Sequence, residues 1–95
     1  MIDDVIKQIK KIGEKYEVKK LVLFGSRARG DNSSVSDYDI AVFGNNLSDI
    51  DRIYFRLDIE ETNTLKKIDI VFVDENFTED HLMENIEKEG VVIYE

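Results

Sequence analysis

Two spacings constrain this chain more than any other feature in it. Three short apolar runs, LVLF at 21–24, DYDIAVF at 37–43 and IDIVFV at 68–73, have the length and side-chain types of strands. The polar, glycine-bearing stretch GSRARGDNSSVS at 25–36 separates the first two. It has room for one helical turn but not for a comfortable crossover, so it predicts antiparallel pairing. Residues 44–67 separate the second run from the third and contain a helical pattern. That spacing predicts a strand–helix–strand unit with parallel strands and a right-handed crossover.

Helices flank these runs. Ile2, Val5, Ile6, Ile9, Ile12 and Tyr16 recur at intervals of three and four, one face of an amphipathic helix over 2–16, with Asp3 and Asp4 in its first turn. Ser48 with Asp51 three residues on is a variant capping box, and Ile50, Ile53, Tyr54 and Leu57 are the expected apolar stripe of the helix it opens. Asp58, Glu60 and Glu61 read as that helix's solvated side. Thr78 is the expected cap of a last helix, with Phe77 and Leu82 as a hydrophobic staple. That helix stops at Gly90, and VVIY can add an edge strand. The expected fold is therefore α+β: one two-layer domain spanning 1–95, a small mixed sheet with helices mainly on one face.

This topology puts the end of the first strand and the starts of the other two at one edge of the sheet. Residues two apart on a strand point the same way, so Asp37 and Asp39 project together while Tyr38 points away. In IDIVFV, Ile68, Ile70 and Phe72 share one face, and Asp69 takes the other. Paired strands lie about 4.8 Å apart, so three carboxylates can converge. Crowded carboxylates raise one another's pKa values, and magnesium, which prefers oxygen ligands alongside phosphates, resolves the conflict. A pair of such ions about 3.5–4 Å apart suits in-line displacement at phosphorus. Gly25 lets backbone approach a phosphate closely, Ser26 offers a hydroxyl and an amide, and Arg27 or Arg29 can add charge. Any one of these features alone is commoner as a plain turn or a solvated strand end; the conjunction is what is specific.

Composition narrows the partners. The net charge of −8 disfavours a general nucleic-acid binder, although Lys19, Lys20, Arg27 and Arg29 cluster locally, as do Lys66 and Lys67. That distribution suits a small polyanion. There is no cysteine, hence no disulfide framework or thiolate metal site, and no apolar run long enough to span a membrane. A cytoplasmic setting is expected. His81, the sole histidine, reads as a surface residue near the start of the last helix.

Gly25-Ser26, the ten residues from Arg27 to Ser36, and Asp37-Tyr38-Asp39 together match the G-S-x10-D-x-D signature of the DNA polymerase beta-like nucleotidyltransferase superfamily. More closely, GSRARGDNSSVSDYDIAVF resembles the minimal nucleotidyltransferases of the MNT type, the MntA-like antitoxins paired with HEPN-domain toxins. The likeness runs over nearly the whole chain. It implies that Asp37 and Asp39 bind both of two magnesium ions and that Asp69 completes the site for the ion on the nucleophile's side. It implies that Gly25 and Ser26 hold the triphosphate of ATP or another nucleoside triphosphate, and leaves open which of Arg27 and Arg29 touches phosphate.

Larger relatives carry a second domain for the acceptor, whereas here the fold consumes the chain. The resemblance therefore implies a HEPN-type partner protein, adenylylated on a hydroxyl side chain. Two alternatives remain: a stand-alone transferase acting on an aminoglycoside-like small molecule, and a non-catalytic module that silences its partner by occlusion.

Overall fold

The computed structural model describes residues 4–33, 36–44, 46–62 and 66–95. Its elements run α1 (Asp4–Lys15), β1 (Lys20–Phe24), α2 (Ser26–Arg29), β2 (Tyr38–Phe43), α3 (Asp49–Glu60), β3 (Ile68–Val73), α4 (Asp80–Glu89) and β4 (Val91–Tyr94). The one helical turn allowed for in the first loop is α2. Ile2 and Asp3, expected at the head of the first helix, lie outside the described residues.

The strands form one sheet in the order β3-β2-β1-β4. The two spacings act as expected: β1 and β2 pair antiparallel, and β2 and β3 pair parallel with α3 between them in sequence. β4 pairs antiparallel with β1, with a register irregularity between Leu21 and Val22. β3 and β4 are the edges.

Alternation along the strands divides the core in two. Leu21, Tyr38, Ile40, Val42 and Ile70 face α1 and α3, packing with Val5, Ile6, Ile9, Phe55 and Ile59. Ile9, Leu21, Ile40 and Phe55 are wholly buried, and each such side chain contributes about 1.5–3 kcal/mol over its exposed state. Val22, Phe24, Ala41 and Val73 face the other way, where Leu82, Met83 and Ile86 of α4 cover them. The two longest helices thus share one face, and α4 lies on the other.

Three local expectations need correction. The stripe of α3 is reversed: Ile50, Ile53, Tyr54 and Leu57 are 61%, 58%, 55% and 47% exposed, and Phe55 and Ile59 take the core. Both sets have helical spacing, so tertiary partners decide between them. The capping box forms, with Asp51 N–H donating to Ser48 Oγ and Ser48 N–H to Asp51 Oδ2, and buried Leu47 ahead of it sets the phase of the helix. Phe55 then meets Tyr16 at 5.4 Å and Phe72 edge-on at 5.6 Å between ring centroids. Asp58 is no solvated residue either: Lys15 Nζ and Tyr16 Oη each donate to its carboxylate at 2.8 Å, tying α3 to α1. The Lys15 bond first, then that of Tyr16, holds its pKa below the usual carboxylate range. Finally, Glu79 rather than Thr78 precedes α4, and no side chain caps it. Phe77 and Leu82 do share one apolar cluster. Among the described residues, no helix is long and apolar enough to cross a membrane.

Candidate active site

The register of β2 against β3 sets the site. Asp39 and Asp69 are direct partners on neighbouring parallel strands, so both lie on the α4 side of the sheet at the same level. Asp37 is exposed one residue before β2. On its other side Asp39 is opposite Phe24, the last residue of β1, after which the chain turns through Gly25. The edge foreseen from topology is therefore real, and all three acids belong to it.

Gly25 is fixed there by shape. Its φ of 75° and ψ of −158° belong to a region open to almost no other residue. A Cβ at this position would also collide with the Asp39 carboxylate. The turn thus brings bare backbone against the central acid. Ala28 and Arg29 then donate their N–H groups to Gly25 O and start α2, with the Ser26 amide ahead of those bonds. Ser26 is half-buried beside this turn.

The electrostatics follow from that crowding. The Asp39 carboxyl is pushed above its ordinary pKa, first by burial and then by the charges of Asp69 and Asp37. Arg29 and Lys67 work against the rise. Lys67 Nζ lies 3.3 Å from Asp69 Oδ1. Among the described residues, no three acid or histidine side chains are gathered closely enough to hold an ion unaided. The donor set is nonetheless all hard oxygen, and it carries negative charge that a divalent cation shared with phosphate oxygens would offset, so the residues fit magnesium.

The two arginines separate. Arg29 is on the acid side, held by Asp31 at 3.0 Å and by Glu89 at the end of α4 at 2.9 Å. Arg27 donates from Nε to Ser36 O at 3.1 Å, and its guanidinium lies 4.0 Å from the ring centroid of Tyr38, the residue pointing away from the acids. Arg27 therefore braces the loop that leads into β2. Sequence reasoning missed Glu89 and Asp31 as the pair that positions Arg29. Asp31 lies two residues along, within reach of a local reading, but nothing in one dimension links Glu89 to Arg29.

This geometry can be set beside known proteins. A candidate protein adenylyltransferase of Methanocaldococcus jannaschii is 48% identical over 42 residues, which is 43% of this chain and 42% of that protein. The alignment therefore spans less than half the length of that relative. Among solved structures, a toxin–antitoxin complex with AMP-PNP superposes with a TM-score of 0.68 at 24% identity, over 93% of this chain and 71% of that one. A complex of a tri-AMPylated Shewanella oneidensis HEPN toxin with an MNT antitoxin gives 0.61 at 20% identity, over 94% and 68%. Identities this low carry the fold alone. The family model for Polymerase beta, Nucleotidyltransferase matches residues 7–95, nearly everything just described, and the chain belongs to that nucleotidyltransferase family.

Proposed function

We propose that this chain transfers AMP from ATP to a hydroxyl side chain of a HEPN-type partner protein, acting as the antitoxin of a toxin–antitoxin pair. The observation that carries the reading is the registered pair Asp39 and Asp69, with Asp37 beside them, set against a glycine turn that places bare backbone at the central carboxylate. The names of similar proteins support it: one is a candidate protein adenylyltransferase, and another is an MNT antitoxin bound to an AMPylated HEPN toxin. A cytoplasmic setting, with its supply of ATP and magnesium, suits this chemistry.

Asp37, Asp39 and Asp69 would hold magnesium, two ions in the reading we favour, which when bound offsets phosphate charge and polarises the reacting phosphoryl group. Gly25 and Ser26 would receive the triphosphate, with Arg29 adding charge from the α2 side. The acceptor oxygen forms a bond to the α-phosphorus as the bond to the bridging oxygen breaks, and pyrophosphate leaves. The acceptor's proton passes to Asp69, the acid on β3. Positioning and charge then supply most of the rate, as in other phosphorus transfers.

The test uses the chain, ATP, magnesium and a HEPN-domain protein sought in the reading frames beside its own, with intact mass and toxin activity as readouts. Added AMP mass on the partner is the expected result. Asp69→Asn should keep ATP affinity near that of the native chain and remove transfer, a loss confined to the chemical step. Full silencing of the partner by this variant, with no added mass, would refute the enzymatic reading and leave a binding module.

A further inference from the structure

We infer that the outward face of α3 is the docking surface for a protein partner that presents an apolar helix ridge flanked by lysine or arginine. The inference rests on the partner-directed reading above and says where that partner is held. Ile50, Ile53, Tyr54 and Leu57 recur at three- and four-residue intervals along α3 and remain about half exposed or more. They lie opposite Phe55 and Ile59, which occupy the core, so α3 is apolar on two opposed faces. Scattered exposed apolar residues are normal, but four on one helical stripe form a contiguous patch of the kind that marks an interaction site.

Charge decides what covers it. Asp49, Glu60 and Glu61, all exposed, border the stripe. On α3 itself the cations are engaged, Arg52 with Asp74 at 2.6 Å and the Arg56 guanidinium 5.0 Å from the centroid of the Phe72 ring. Lys15 is held by Asp58, and Lys66 and Lys67 border Glu60 alone of the three acids. The C-terminal turn of α3 has no basic residue and is followed by Glu61, so acidic side chains sit at the negative end of the helix dipole. A cationic partner relieves that conflict. A second copy of this chain, net charge −8, would aggravate it.

The position suits catalysis on a large acceptor. α3 covers the face of the sheet opposite the acids, and the next element in sequence is β3, the edge strand that carries Asp69. A partner seated on the stripe therefore leaves the acid face uncovered.

The experiment compares the native chain with Ile50→Ser/Ile53→Ser/Leu57→Ser, whose three changes are at exposed positions and leave the core untouched. Binding to the HEPN-domain protein is measured by calorimetry at low and high salt, transfer by intact mass, and self-association by ultracentrifugation. The expected result is at least about a hundredfold weaker partner binding in the variant, unchanged ATP affinity and unchanged melting. The native affinity should also fall as salt screens the acidic rim. Equal partner affinity in the two proteins would overturn the inference while leaving the transfer reading intact. So would a native homodimer that the three substitutions dissociate. Binding lost in the variant, with no transfer by the native chain, would uphold the docking surface and refute the proposed chemistry instead.

Discussion

Replacing Gly25 with alanine separates backbone strain from damage to the site. At φ 75° and ψ −158° a non-glycine residue costs about 1–3 kcal/mol. The new Cβ would also overlap the Asp39 carboxylate and approach its Cβ to 3.4 Å, so Asp39 must leave its rotamer, at about 0.5–1.5 kcal/mol more. Together these give a loss of roughly 2–4 kcal/mol, and in a domain of this size each kcal/mol lowers Tm by about 4–8 °C. Gly30→Ala is the matched control. Its φ of 85° is also unfavourable, but nothing lies within 4 Å of an added Cβ, so only the left-handed backbone cost of about 1–2 kcal/mol applies. Melting followed by circular dichroism gives the stability of each variant, and release of labelled pyrophosphate, measured well below Tm, gives activity per folded molecule. Gly25→Ala should lose about a hundredfold in turnover, the scale expected for a 1 Å misplacement, and Gly30→Ala should lose none. Native turnover in folded Gly25→Ala, or an equal loss in both variants, would refute the claim that the turn is shaped by Asp39.

Asp39→Asn should abolish transfer yet raise the Tm of the metal-free protein at neutral pH. Burial, then Asp69 and Asp37, raise the native carboxyl above its unfolded value, so the native state binds the proton more tightly and stability falls as pH rises through that window. Melts from acid to neutral pH should show this slope in the native chain and a flatter one in the variant; matching slopes count against the crowding argument. Asp58 has the opposite sign: its pKa is lowered by Lys15 and then Tyr16, so its contribution is present above the usual carboxylate range and fades as pH falls through the lowered value. Asp58→Ala should cost about 1–2 kcal/mol at neutral pH, chiefly by leaving the half-buried Tyr16 hydroxyl unpaired, and a melt unchanged from the native one would show that the α1–α3 tie contributes little.

The strand topology was legible because two loop lengths and period-two alternation are enough to dictate it. The edge holding Asp37, Asp39 and Asp69 followed, since register and face are the same fact in a sheet. The buried side of α3 was not legible. Ile50, Ile53, Tyr54 and Leu57 make as good a stripe as Phe55 and Ile59, and tertiary partners such as Tyr16 and Phe72, with Leu47 and the Ser48 cap, choose between them. Asp58 looked like part of an acidic surface because its partners, Lys15 and Tyr16, belong to a different helix. The separate roles of Arg27 and Arg29 were equally hidden, depending on Ser36 and Tyr38 in one case and on Asp31 and Glu89 in the other.

The parallel pairing of β2 with β3 also governs when the site comes into being. Asp39 and Asp69 come side by side only after the chain has crossed over the sheet through α3 and returned as β3, and nonlocal parallel contacts of this kind form slowly because loop closure must come first. A chain emerging from a ribosome can make the β1–β2 hairpin, with Gly25 and Asp39 already near each other, before Asp69 exists. Such a half-made molecule has the Gly25 turn against Asp39 and lacks the third acid. The three-acid edge is complete only with the long-range closure, so under the proposed function turnover should require that closure and the hairpin alone should show none.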